Sequence, residues 1–152
     1  MSTRSAFLRT TALAAFLTLG LAGCGMMNSM SSSSTATYTA ALSGSQESPA
    51  VNTGGNGNAE VTYDRNSQMA SYRVSYSGLS GPATAAHIHG PAGPGQNAGV
   101  VVPFTNVGTS PFSGQVKLTP EQYNQLSSGQ WYVNVHTAAH PAGEIRGQLR
   151  PR

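Results

Sequence analysis

All four histidines of the chain fall in two short stretches. The first is Ala86-His87-Ile88-His89-Gly90-Pro91-Ala92-Gly93. The second runs from Asn134-Val135-His136-Thr137 through His140-Pro141-Ala142-Gly143 to Glu144-Ile145-Arg146-Gly147. Neutral imidazole is the commonest protein metal ligand and the usual proton carrier near neutral pH. In an extended strand, residues i and i+2 point the same way, ~6.5–7 Å apart, so His87 and His89 share a face. A His-x-His pair joined by a strand histidine from elsewhere can supply three nitrogens, each ~2.0–2.1 Å from one ion. All-nitrogen ligation suits copper or zinc, and tetragonal geometry favours Cu(II) over zinc. The candidate ligands are His87, His89 and His136, with His140 as a possible fourth from the loop before Pro141. A histidine on a polar strand face can instead hydrogen-bond across to an amide or carboxylate and order two strands. Asn134 and Glu144 are the partners within reach.

These residues need strands to position them, and the chain reads as all-β. Short strands separated by Gly, Pro, Asn and Ser clusters are expected near 38–43, 58–64, 68–76, 83–89, 99–104, 112–118, 131–137 and 143–149. That pattern predicts an antiparallel, Greek-key-like sandwich or barrel. Asp64-Arg65-Asn66-Ser67 reads as a hairpin turn. After it, Ala70, Tyr72, Val74 and Tyr76 alternate with Ser71, Arg73 and Ser75. One helix is expected near 119–128, with Thr119 as N-cap, Pro120 in the first turn, Gln122 completing a capping box and Gly129 past the end. Tyr123 and Leu126 would pack it as a lid over one end of the sheet.

Three strands should each carry a polar stripe opposite an apolar one. Trp131, Val133 and Val135 oppose Tyr132, Asn134 and His136, while Ile145 and Leu149 oppose Glu144, Arg146 and Gln148. If the strands are neighbours, His87, His89, Asn134, His136, Glu144 and Arg146 form one polar patch, with Asn134, Glu144 and Arg146 surrounding the histidines. Glu144 and Arg146, on one face of one strand, read as a surface ion pair. Trp131 and Tyr132 read as packing. The run from Gly90 to Asn97 has no lysine and no following helix, so it reads as a surface loop and not a phosphate cradle. No serine, threonine or thiol stands beside a placed base, so nothing here argues for an enzyme using nucleophilic catalysis.

The first 23 residues read as an address. Arg4 and Arg9 precede an apolar run too short for a stable span. Leu21-Ala22-Gly23-Cys24 resembles a bacterial lipobox, and its cysteine is the chain's only one. The resemblance implies lipidation of Cys24, cleavage before it, and durable anchoring by several acyl chains. Gly25 after the cysteine favours the outer membrane over inner-membrane retention. The expected location is the cell envelope, as a membrane-anchored lipoprotein that is periplasmic or at the cell surface. With the cysteine consumed by lipid, no disulfide is expected. The chain has eight Lys and Arg against five Asp and Glu. Loss of Arg4 and Arg9 leaves six against five, which gives no concentrated basic face for nucleic acid. Residues 24–37, rich in serine, read as a flexible tether. Residues 38–152 then form one domain.

Five motifs, in order, carry a resemblance. They are Gly44-Ser45-Gln46-Glu47-Ser48-Pro49-Ala50-Val51, Tyr76-Ser77-Gly78-Leu79-Ser80-Gly81, Ala86 to Ala92, Gly129 to Thr137 and Gly143 to Leu149. Together they resemble the CHRD domain, a module named from chordin and found in exported bacterial proteins. The resemblance spans about residues 42–149 and implies a β-sandwich-like extracytoplasmic domain. More weakly, His87-Ile88-His89 resembles the copper site of Cu,Zn superoxide dismutases. That analogy would make His87, His89 and His136 (or His140) copper ligands, with Arg146 near an anionic ligand. The chain departs from it in having no disulfide, no zinc loop with an aspartate ligand and no histidine to bridge two metals. The expected role is therefore a non-enzymatic envelope binding module for a transition-metal ion. The alternative is a structural or adhesive domain that contacts other envelope proteins and holds no metal.

Overall fold

The computed structural model describes residues 33–152. The expected signal peptide (1–23), Cys24 and most of the tether lie outside the described residues. The strands, in chain order, are β1 (Thr35–Ser43), β2 (Asn56–Asp64), β3 (Met69–Ser77), β4 (Ala83–His89), β5 (Val100–Pro103), β6 (Phe112–Lys117), β7 (Tyr132–Thr137), β8 (Ile145–Gln148) and β9 (Arg150–Pro151). A 3-10 turn, Gly44–Gln46, follows β1, and one helix, α1 (Pro120–Ser127), precedes β7. The strands form a single antiparallel sheet in the order β5-β4-β7-β8-β1-β2-β3-β6, with β9 also paired to β1. Three long connections, β3 to β4, β5 to β6 and β6 to β7, leave the local meander and join strands that are not sheet neighbours.

The sheet curls into a nearly closed barrel because one face of almost every strand is apolar. Tyr38, Ala40 and Leu42 of β1, Ala59, Val61 and Tyr63 of β2, and Ala70, Tyr72 and Val74 of β3 point into one core with Ile88, Trp131, Val133, Val135 and Ile145. Phe104, just after β5, lies 5.4 Å from Phe112 of β6, so an aromatic contact bridges the two edge strands. Helix α1 begins as the residues dictate. Thr119 accepts from the Gln122 amide while the Gln122 side chain accepts from the Thr119 amide, and Pro120 occupies the first turn. Leu126 is fully buried and Tyr123 stacks on Tyr63 at 4.1 Å, which seats the helix on the barrel.

Two boundaries differ from expectation. Strand β1 begins at Thr35, so residues 35–37 belong to the domain and not to the tether. They pair with Thr62, Tyr63 and Asp64 of β2, and backbone ladder bonds need no apolar side chains. The last expected strand, 143–149, is shorter because Gly143 has a φ of 133° and β8 starts only at Ile145. The Leu149 amide then bonds to the Trp131 carbonyl, and Arg150–Pro151 turn to β1 as β9.

Candidate metal centre

Strands β4 and β7 pair so that His87 lies opposite Asn134, with His89 opposite Tyr132 and Ala85 opposite His136. Because alternate residues share a face, this register gathers His87, His89, Asn134 and His136 on one side of the ladder. One ring nitrogen from each of the three histidines can be chosen so that all lie within 4.8 Å of one another. His87 Nδ1 is 3.0 Å from His136 Nε2. Asn134 Oδ1 is 3.0 Å from both His89 Nε2 and His136 Nε2.

The carbonyls behind the rings settle their tautomers. His89 Nδ1 lies 2.9 Å from the Ala98 carbonyl and His136 Nδ1 lies 3.0 Å from the Pro141 carbonyl. A carbonyl only accepts, so each Nδ1 carries the hydrogen and each neutral ring turns its Nε2 lone pair inward. Two lone pairs and an amide oxygen therefore converge beside His87 Nδ1, an electron-rich point that a cation stabilises. A histidine whose second nitrogen donates to a backbone carbonyl is the usual outer support of a metal ligand. Two nitrogens on one ion stand ~2.9–3.4 Å apart at ordinary bond angles, and the His87–His136 separation of 3.0 Å falls within that range. Burial lowers the pKa of His87, reinforced by its neighbours His136 and His89. Burial also lowers that of His136, outweighing the Pro141 hydrogen bond. Both rings are thus held in the neutral form that binds metals.

The two strands that carry this cluster hold parts of two of the five motifs noted in the sequence, Ala86 to Ala92 and Gly129 to Thr137. The family model of the CHRD domain matches residues 38–149. The chain belongs to the CHRD domain family. No curated protein and no solved structure matches it.

Within this CHRD domain the remaining predicted residues separate from the histidines in three ways. His140 is not part of the cluster. It closes a turn through backbone bonds with Thr137 and Gly143 and lines a separate groove of about 190 Å³ with Glu47, Pro49 and Val51. Glu144 and Arg146 are not a surface ion pair: both are buried, 0% and 1% exposed, and they do not meet. Glu144 stands just ahead of β8, outside the strand, and its side chain turns toward Thr53, Ser80 and Thr137. There its Oε1 accepts from Thr53 Oγ1 (2.6 Å) and the Ser80 amide (2.8 Å), and its Oε2 accepts from Ser80 Oγ and Thr137 Oγ1 (both 2.6 Å). Burial pushes this carboxyl up, but the hydrogen bonds from Ser80, Thr137 and Thr53 outweigh it and hold the pKa at about 2. Glu144 is therefore a structural latch and not a partner of the histidines.

Arg146 stays close to the cluster but acts through Tyr132. Its guanidinium carbon lies 3.4 Å from the Tyr132 ring centre, and that ring stacks on His89 at 4.9 Å and 4°. Arg146 also donates to the carbonyls of Gln96 (2.7 Å) and Gly93 (3.4 Å) and to Asn97 Oδ1 (3.0 Å). The Gly90–Asn97 loop is thus not loose surface: its carbonyls cradle a buried cation, and Ala98 just beyond it fixes the His89 tautomer. The sequence reading missed Tyr132 as the support of His89, and it missed Glu47. Glu47 is half-buried, and burial raises its pKa to about 7 against the attraction of Arg146. The only sequence signal for Glu47 was its place in the first motif.

Proposed function

We propose that this CHRD domain is a cell-envelope binding module that captures one transition-metal ion, copper in preference to zinc, through His87, His89 and His136. The single observation behind this reading is the convergence of three ring nitrogens, two of them with Nδ1 committed to backbone carbonyls. Asn134 stands beside two of the ligand atoms, and Arg146 holds Tyr132 against His89. Nitrogen donors without thiolate or carboxylate favour Cu(II). The role is binding and not catalysis. The lipobox-like Leu21-Ala22-Gly23-Cys24 supports tethering to a membrane, and labelled palmitate incorporation abolished by Cys24→Ser would test it.

The metal reading is tested by Cu(II) titration of the purified protein followed by electron spin resonance. A one-to-one complex with nitrogen hyperfine splitting is expected, abolished by His136→Ala or His87→Ala and unchanged by His140→Ala. Binding no tighter than that of a free histidine-containing peptide overturns it. A second reading, a structural or adhesive domain without metal, draws on the hydrogen bonds by which His89 and His136 already hold the carbonyls of Ala98 and Pro141. It predicts that His136→Ala costs about 1 kcal/mol of stability and that no metal raises the unfolding midpoint.

A further inference from the structure

On the outer face of β9, β1, β2 and β3 the pairing register sets side chains in a row. Arg150 pairs with Thr39, Thr39 with Glu60, and Glu60 with Arg73. The adjacent row, Ala41, Asn58 and Ser75, is short. Long side chains beside short ones make a groove of about 590 Å³, within the ~300–1,000 Å³ of ligand sites. Three strand spacings separate Arg150 from Arg73, about 14 Å at the backbone. Arg152 sits 3.3 Å from Glu60 and neutralises it. Among the described residues, no carboxylate lies within ion-pair distance of Arg73 or Arg150, so two arginines free of ion pairs stand at opposite ends. Gln148, on the groove wall, is held in place by its Nε2, which donates to the carbonyls of Ala92 and Gly129 at 2.8 Å each.

We infer that this groove binds an acidic oligosaccharide. Carboxylates on the sugars answer Arg73 and Arg150, and hydroxyls answer the polar floor at Asn58 and Ser75. The spacing of the two arginines calls for an oligomer and not a monosaccharide. The groove carries no aromatic ring, which single-stranded nucleic acid would need for stacking. It also has no exposed large apolar side chain to enter a bilayer, since Val100 stands on β5. This site is separate from the histidine cluster and does not depend on metal binding.

The test is calorimetric titration of the full chain with a galacturonate oligomer, a neutral glucose oligomer of equal length, inorganic phosphate, and vesicles containing phosphatidylglycerol. The galacturonate oligomer should bind, more weakly at high salt, and the double variant R73Q/R150Q should weaken it about tenfold or more. Both arginines are exposed, so the variant should keep the wild-type unfolding midpoint. Equal binding of the neutral oligomer or of phosphate, or an unaltered affinity in R73Q/R150Q, overturns the proposal. Binding to the vesicles without binding to the glycan also overturns it and assigns the face to a membrane surface.

Discussion

Replacing Glu144 with Gln removes one charge from the centre of a closed hydrogen-bond set without changing side-chain size. In the folded protein the carboxylate is fully buried and accepts four hydrogen bonds from Thr53, Ser80 and Thr137. Its pKa falls from 4.5 to about 2. A depressed carboxyl contributes stability that is present above the unfolded-state pKa and is lost as pH falls through the folded one. A shift of this size corresponds to about 3 kcal/mol, at roughly 1.4 kcal/mol per unit. Glutamine resembles the protonated carboxyl, so Glu144→Gln should cost about 3 kcal/mol at pH 7. That cost should shrink between pH 4.5 and 2 and nearly vanish below pH 2. The assay is urea unfolding of both proteins at pH 7, 4.5, 3 and 2, comparing the difference in unfolding free energy. Subtracting the variant cancels the titration of the other carboxylates. A difference that stays constant over this range would refute the reasoning, because the loss would then come from packing and not from the charge.

Glu47 has the opposite sign: its carboxyl is raised from 4.5 to about 7 by burial, so the folded state favours the protonated form and loses stability as pH rises from 4.5 through 7. Glu47→Gln should therefore raise the thermal midpoint at pH 8 and leave it nearly unchanged at pH 4. Arg146→Met should cost about 2–3 kcal/mol in chemical denaturation, because the carbonyls of Gly93 and Gln96 and the Asn97 side chain lose their donor; any metal affinity should weaken as Tyr132 is released from against His89. Gly147→Ala should destabilise by about 1–3 kcal/mol or prevent folding, since a Cβ there collides with the Ala41 carbonyl, and circular dichroism during thermal unfolding checks it.

The sequence was most legible where a local rule and the tertiary environment agree. The β3 alternation, the Thr119–Gln122 capping box and the apolar face of β7 needed only period and side-chain chemistry, and the structure holds each of them. The His87-x-His89 pair lay on one strand face for the same reason. Local rules failed just ahead of β8. There Glu144 leaves the Arg146 face and meets Thr53, Ser80 and Thr137, which strict alternation over 143–149 could not anticipate.

By itself the sequence determined the class of the fold, eight of the nine described strands and helix α1, the membership implied by five ordered motifs, and the types of ligand available. Those come from short-range periodicity and from the chemistry of individual side chains. Only the tertiary structure decided that His136 joins His87 and His89 while His140 does not. That choice depends on the β4–β7 register and on the carbonyls of Ala98 and Pro141 that turn the rings. Only the tertiary structure showed that both faces of β7 are buried, which makes Arg146 and Glu144 internal supports instead of surface charges. Long-range pairing of this kind is carried by backbone hydrogen bonds, which are the same for every residue type, so no local pattern records it.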